Sequence, residues 1–199
     1  MSLHLEAVNV NVKDFATPTP QSEWSRTDII CRMGMRLSVM TACEEDAVEI
    51  AALRNRVSED LTRRYGSGPW SYNATERGAL RDLRESHMII VRRGKRIVAS
   101  LRLVKQKPWA IDVSYFTAVK RPIYLLSMNV EPKMQRLGVG RYLLDAAKEV
   151  ARAKEFQAIR LDAFDAKAGA EGFYAKCGYR EVGRVIYRKA PLVYFELEV

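Results

Sequence analysis

Two rhythms of apolar and polar positions alternate along this chain, and the switch between them marks its elements. Residues 35–40 read as a first strand. Thr41 has Glu44 three residues on, a capping-box arrangement that predicts a helix start. Ile50, Leu53, Val57 and Leu61 then fall on one helical face, to about residue 65, where Gly66-Ser67-Gly68-Pro69 ends it. Asn73 with Glu76 predicts a second, shorter helix carrying Leu80 and Leu83. Residues 88–93 and 96–104 alternate around Gly94-Lys95, a hairpin signal.

The stretch 105–123, with Trp109, Tyr115 and Phe116 between two prolines, is expected to be a loop or irregular strand. Residues 124–130 read as a strand, 139–154 as a helix with Leu143, Ala147 and Val150 on its buried face, and 158–164 as another strand. A helix over 168–176 ends at Gly178, a C-cap glycine. Strands over 179–188 and 192–197 follow, separated by Lys189-Ala190-Pro191. The order is strand, two helices, three strands, helix, strand, helix, two strands. It predicts an α/β chain with one mixed sheet, largely hairpin-connected. Residues 1–32 hold Pro18 and Pro20 and keep no period beyond a brief alternation at 8–12, where a short added strand is open. They are expected to be a tail or extension ahead of one domain over 33–199.

Composition narrows the chemistry. No apolar run approaches the roughly 18 residues that span a bilayer, and no basic-then-apolar leader is seen, so a cytoplasmic protein without a membrane partner is expected. Cys31, Cys43 and Cys177 are odd in number and irregularly spaced, which argues against a disulfide framework. His4 and His87 are the sole histidines, and neither sits in a metal-ligand or nucleophile motif, so no metal is expected. The formal net charge is +9. Residues 92–107 hold Arg92, Arg93, Lys95, Arg96, Arg102, Lys105 and Lys107 without one acid. Such a stretch suits a solvated hairpin face or an anionic partner such as RNA.

The segment 130–141 joins a strand to an amphipathic helix and carries Gly138 and Gly140. The first turn of a helix has amide N–H groups without partners and a partial positive charge. With Arg136 and Arg141 beside it, this is a candidate phosphate site. The spacing also suits a plain strand–helix turn. A dinucleotide fingerprint fails, because Leu143 stands where its third glycine belongs and residues 131–137 separate strand from glycines; Asp162 further on does not repair this. A P-loop fails because Arg141-Tyr142 follows Gly140.

Gln135-x-x-Gly138-x-Gly140, five residues after Val130, resembles the pyrophosphate loop of the GNAT N-acetyltransferases. Phe173-Tyr174-Ala175-Lys176-Cys177-Gly178-Tyr179 is similar to a second signature of that superfamily, at the usual distance. The resemblance covers about residues 35–197. It implies an acyl-CoA N-acyltransferase fold, a mostly antiparallel sheet with two splayed strands and flanking helices. It also implies acetyl-CoA as cofactor. The pantetheine arm would lie along Met128, Asn129 and Val130, with an N–H there facing the thioester carbonyl. The amides of Gln135, Arg136, Leu137, Gly138, Val139, Gly140 and Arg141 would hold the pyrophosphate, and Tyr174 would stand near the sulfur. Many members carry an asparagine where Lys167 stands here; either Asp165 substitutes for it or that contact is absent.

The implied activity is transfer of acetyl to a primary amine of a small molecule or protein, directly in a ternary complex. Such transfer needs a base, close positioning, an oxyanion donor and an acid for the leaving thiolate. Tyr174 is the expected acid. Cys177, three residues later, would serve a covalent route but has no histidine to activate it and is expected to be structural. Glu131, Glu59, Asp60 and Asp112 are the candidate bases. Trp70, Tyr72, Trp109 and Tyr115 are candidates to line the acceptor pocket, together with Phe116. Two alternatives remain: a non-catalytic acyl-CoA-binding module, and an acetyltransferase directed at charged tRNA. The last strands leave pairing into a homodimer open.

Overall fold

A computed structural model describes residues 27–30 and 36–199. The alternation at 8–12 and Cys31 lie outside the described residues. Within the stretch read as a tail or extension, Thr27–Ile30 forms strand β1, antiparallel to β2 (Arg36–Thr41). Helices α1 (Ala47–Tyr65) and α2 (Glu76–Glu85) follow, then strands β3 (His87–Arg93), β4 (Arg96–Val104) and β5 (Pro122–Val130). The chain closes with α3 (Val139–Ala153), β6 (Ala158–Phe164), α4 (Glu171–Lys176), β7 (Arg180–Tyr187) and β8 (Ala190–Glu198). The eight strands form one sheet in the order β1-β2-β3-β4-β5-β6-β8-β7. Among the described residues only β5 and β6 run parallel, with α3 as their crossover.

Both capping residues lie two positions after the expected ones. Thr41 is the last residue of β2; Cys43 instead caps a 3-10 turn, Glu44–Asp46, that leads into α1, its backbone N–H donating to the Asp46 carboxylate at 3.1 Å. Thr75, not Asn73, caps α2 and accepts from the Gly78 N–H at 3.1 Å. A Ser/Thr/Asp-rich approach to a helix offers several near-equivalent caps, and the register of the buried face chooses among them. Helix α4 starts three residues later than predicted, because residues 166–169 are consumed by a tight turn closed by the Gly169 N–H to the Ala166 carbonyl at 2.7 Å.

Two cores lie on opposite faces of the sheet. On one, Leu143, Leu144, Ala147 and Ala151 of α3 pack on Leu101, Leu103, Ile123, Leu161 and Phe195. On the other, Ile50, Leu53 and Val57 of α1 pack with Ala79 of α2 against Met88, Ile90 and Ile97. Burial of each such large aliphatic side chain stabilises by about 1.5–3 kcal/mol. A third cluster on the α1 face joins Val104, Ile111, Phe116, Tyr124 and Tyr194, and seats the irregular stretch 105–121 on the sheet.

That seating is polar as well. The Tyr194 hydroxyl donates to the Ala110 carbonyl and accepts from the Asp112 N–H at 3.2 Å. Beside it, the buried Arg160 and Glu196 pair at 3.0 Å, and Glu196 also accepts from Arg180 at 3.0 Å and from the Thr117 N–H at 3.2 Å.

His87 begins β3 with its Nε2 buried and without a partner among the described residues. Burial, with Lys154 adding to it, lowers its pKa from the ordinary 6.5 to about 4. The folded protein therefore holds His87 neutral while the unfolded chain protonates it below about pH 6.5. Stability is expected to fall by up to about 3 kcal/mol as pH drops from about 6.5 to about 4, then to level for this group. Urea unfolding across that window, with His87→Leu flattening the slope, checks it.

Candidate functional site

The site begins with a fault in the sheet. Ser100 of β4 pairs Asn129, and Arg102 pairs Leu126, so Leu101 faces two residues, Ser127 and Met128. This is a β-bulge, and Ser127 takes a positive φ of 50° to form it. Strand β5 stays clamped to β4 beyond the bulge: Ala99 pairs Val130, and the Glu131 N–H donates to the Val98 carbonyl at 2.8 Å. Strand β6 stays paired to β8 along its whole length, from Ala158 to Phe164. The bend can open only between them. Pairing of β5 with β6 stops at Tyr124 opposite Arg160, and the strands diverge from there. The splay expected from the resemblance is present, and its β5 wall is the Met128–Val130 stretch.

The glycine loop lies at the end of that wall. The Gln135 side chain donates to the Val130 carbonyl at 3.2 Å, tying the loop back to the strand. Arg136 is held at φ 61° and Gly138 at φ 88°, both left-handed, before α3 opens at Val139. A non-glycine residue in that region costs about 1–2 kcal/mol, so the strain at Arg136 sits at a candidate binding loop. Gly140 lies where a Cβ would meet the Phe173 ring at 3.0 Å and the Met128 methyl at 3.3 Å. Its lack of a side chain lets α3, α4 and β5 converge. Leu137 and Val139 turn their side chains to the core, leaving backbone as their contribution to a ligand. Arg136 and Arg141 are exposed, and Arg141 also donates to the Lys176 carbonyl. Asn129 is buried and donates to the Ser127 carbonyl at 2.8 Å, bracing the bulge.

Tyr174 is buried, and its hydroxyl reaches the Met128 sulfur at 3.7 Å, placing it at the β5 wall. Its ring is boxed by Phe173, Tyr179 and Phe195 at 5.4–5.8 Å between centroids. Burial first, then Asp162 and Cys177, hold its phenol above the usual tyrosine range, so it stays protonated. Cys177 is buried and its thiol is pushed up mainly by burial, the opposite of an activated nucleophile. Asp165 pairs with Arg184 of β7 at 3.0 Å.

The acids singled out as bases are mostly committed elsewhere. Glu131 is buried and holds Arg56 at 2.7 Å and Arg96 at 3.1 Å, which fixes the end of β5 to α1 and to the β3–β4 hairpin. Asp60 holds Arg64 at 2.9 Å, and Arg63. Asp112 caps Ser114, accepting from its N–H at 3.0 Å and its hydroxyl at 2.8 Å. Glu59 is exposed beside an open depression of about 490 Å³ that Ser58, Thr62, Ser71, Tyr72 and Asn73 also line. The basic run is likewise partnered by acids distant in sequence. Arg92 meets Asp46, Arg96 meets Glu131, and Arg102 meets Asp82 at 2.8 Å. The uniform basic strip that a nucleic acid would need is broken.

The aromatic candidates separate. Trp70 donates from Nε1 to the Gly66 carbonyl at 3.0 Å and lays its ring edge-on to Phe164, 5.6 Å away, at the end of β6. Tyr115 stands 5.5 Å from Tyr194, over β8. Phe116 covers Arg160, whose guanidinium carbon is 5.0 Å from the ring centre. Tyr72 is half exposed beside α1, its backbone held by Ser58. Trp109 is 89% exposed. Asp162, not singled out from the sequence, stands on β6 between Arg160 and Phe164, on the aromatic face of the gap. Its signal was the alternation Arg160, Asp162, Phe164, three polar or aromatic residues on one face of an otherwise apolar strand.

Among the described residues, no helix is long and apolar enough to cross a membrane and no group of three or more His, Cys, Asp or Glu could hold a metal. The model of the acetyltransferase (GNAT) family matches residues 50–179. Solved structures share the fold. The GNAT domain of PAT from S. lividans superposes with a TM-score of 0.69 at 17% identity, over 87% of this chain and 97% of that one. The PaiA N-acetyltransferase from Thermoplasma acidophilum, in complex with coenzyme A, gives 0.65 at 12% identity, over 83% and 100%. The ribosomal-protein-S18-alanine N-acetyltransferase from Escherichia coli gives 0.62 at 13%, over 82% and 94%. No curated protein sequence matches this chain.

Gly138→Ala keeps free space for its methyl group but adds strain of about 1–2 kcal/mol to the loop. Calorimetric titration with coenzyme A is expected to show a roughly ten-fold weaker complex. Unchanged affinity would mean that the loop is a turn and not an anion cradle.

Proposed function

This chain belongs to the GNAT acetyltransferase family, and on that premise we propose that it acetylates a primary amine of a small molecule or protein by direct transfer in a ternary complex. The carrying observation is the continuity of the β5–β6 gap with the glycine loop at the start of α3. One strip then offers an open strand edge, a set of helix N-terminal amides and two arginines. Those are the groups that a pantetheine arm and a pyrophosphate require.

Bound acetyl-CoA supplies the acyl group already activated as a thioester. The amides from Arg136 to Arg141 hold its pyrophosphate, with Arg136 and Arg141 adding charge. The β5 edge from Met128 to Val130 pairs with the arm as a neighbouring strand would, and an N–H there serves as the oxyanion donor. Asp165, engaged by Arg184, contributes at the far wall only by exchanging that partner. On the opposite face, Trp70 and Tyr115 border the entry of the amine, with Tyr72 farther out along α1.

Tyr174 supplies a hydrogen bond to the leaving sulfur. Its phenol lies above the ordinary value of about 10, while a thiol lies near about 8.5, so full proton transfer to the thiolate is uphill by about 2 kcal/mol or more. A donor that never ionises stabilises developing charge without being consumed. Tyr174→Phe is expected to lower kcat by about 10²-fold, with acetyl-CoA affinity held within a few-fold. Release of free CoA thiol measures the first, and calorimetry the second. Unchanged turnover would leave Tyr174 as a packing residue. Absence of acetyl-CoA binding by the wild-type protein would withdraw the whole reading.

A further inference from the structure

We propose that Asp162 takes the proton from the incoming amine, directly or through one water, at the floor of the cleft where β5 and β6 part. The inference rests on the acetyltransferase reading and assigns the base which that reading leaves open.

Position carries the argument. Strand β6 alternates, with Ile159, Leu161 and Ala163 in the α3-side core and Arg160, Asp162 and Phe164 on the other face. The last β5–β6 pair is Tyr124 with Arg160. Asp162 is two residues farther, the first position on that face where β6 has lost its β5 neighbour. On its other side it remains paired to Tyr194 of β8. One flank is thus sealed and one is open.

The roof repeats this pattern. Phe116 lies over Arg160, and Trp70 lies against Phe164. Asp162 stands between the two covered residues and is half-buried. Among the described residues, its carboxylate has no hydrogen-bond or ion-pair partner beyond its own backbone N–H. The neighbouring charged and titratable groups are all accounted for. Arg160 is taken by Glu196 and by the Thr117 carbonyl. The Tyr194 hydroxyl is taken by Ala110 and Asp112, and Asp112 by Ser114. Tyr124 is buried in the aromatic cluster, and Tyr174 approaches from the α4 side. A carboxylate left without a cation at a cleft floor suits an ammonium ligand.

Burial pushes the Asp162 carboxyl up from its ordinary range, which makes it a better proton acceptor. The same negative charge raises the Tyr174 phenol through the gap. That charge keeps Tyr174 protonated at the cost of its acidity, so the phenol acts as a hydrogen-bond donor and not as a proton source.

The step balances. The alkylammonium gives one proton to the Asp162 carboxylate and becomes a neutral amine. Its nitrogen forms the C–N bond at the thioester carbonyl, and the C–S bond breaks with its electron pair going to sulfur. The second nitrogen proton ends on the thiolate, giving thiol. Asp162 returns its proton to solvent.

The test has two readouts on the intact protein. Carboxyl carbon-13 NMR, with Asp162→Asn to assign the resonance, is expected to show Asp162 titrating above the ordinary aspartate value of about 3.9. A value at or below it overturns the proposal. CoA release is then compared with glycinamide, largely protonated below its own pKa, and with hydroxylamine, neutral at pH 7. Asp162→Asn should lose about 10²-fold with glycinamide at low pH and much less with hydroxylamine. Equal losses with both, or none with glycinamide, overturn the base role. If neither amine turns over, the NMR titration decides alone. Calorimetry with acetyl-CoA separates the two levels: failure of the wild type to bind removes the acetyltransferase reading, whereas binding with an ordinary Asp162 removes only this assignment.

Discussion

The single extra residue at Ser127–Met128 is the constraint on which the rest of this molecule depends. A parallel pair of strands would otherwise remain hydrogen-bonded along its length, with no room for a ligand inside the sheet. The bulge bends β5 while its pairing to β4 resumes at Asn129. The seven residues of β6 stay fixed to β8. All of the distortion is therefore delivered to one interface, and a gap appears between two walls that are each rigid. A sheet edge inside a protein is normally a liability, because its unpaired amides and carbonyls ask for a partner. On the proposed reading, that demand is met by the pantetheine arm.

Around the gap, charge and aromatic packing divide the labour. Glu131 looks from sequence like a free acid at the end of the right strand, yet Arg56 and Arg96 consume it. Its work is mechanical: it pins the point where β5 becomes the glycine loop. Asp162 has the opposite history. It sits in a strand that reads as core, and only its neighbours leave it unengaged. Glu131 is engaged by partners 35 and 75 positions away in the chain, and Asp162 is left without one, and no local motif encodes either outcome.

That contrast explains what was legible beforehand. The hairpin at Gly94, strand β6 and helix α3 were predictable to within a residue or two, because period and turn residues act locally. The glycine loop was legible for the same reason, as its function lies in backbone conformation that glycines announce. The helix caps at Cys43 and Thr75 slipped, since several short polar residues compete at each site. The acceptor side was legible only as a set of aromatic residues. Trp70 and Tyr115 find sheet residues to lie on, whereas Trp109 does not. Whether a loop aromatic covers a cleft depends on long-range docking, and sequence carries little of that information.

Tyr194 holds the β4–β5 connection through backbone, by the Ala110 carbonyl and the Asp112 N–H, and through the rings of Tyr115 and Phe116. The backbone part of that tether is indifferent to what the loop's residues are. Exposed positions of that stretch, such as Trp109 and Val113, can thus change while Ile111 and Phe116 keep it seated on the sheet. On the proposed reading, such an arrangement lets one reaction meet different acceptors, and the exposed positions of 105–115, with Ile111 kept, are the ones to randomise when a new amine is wanted.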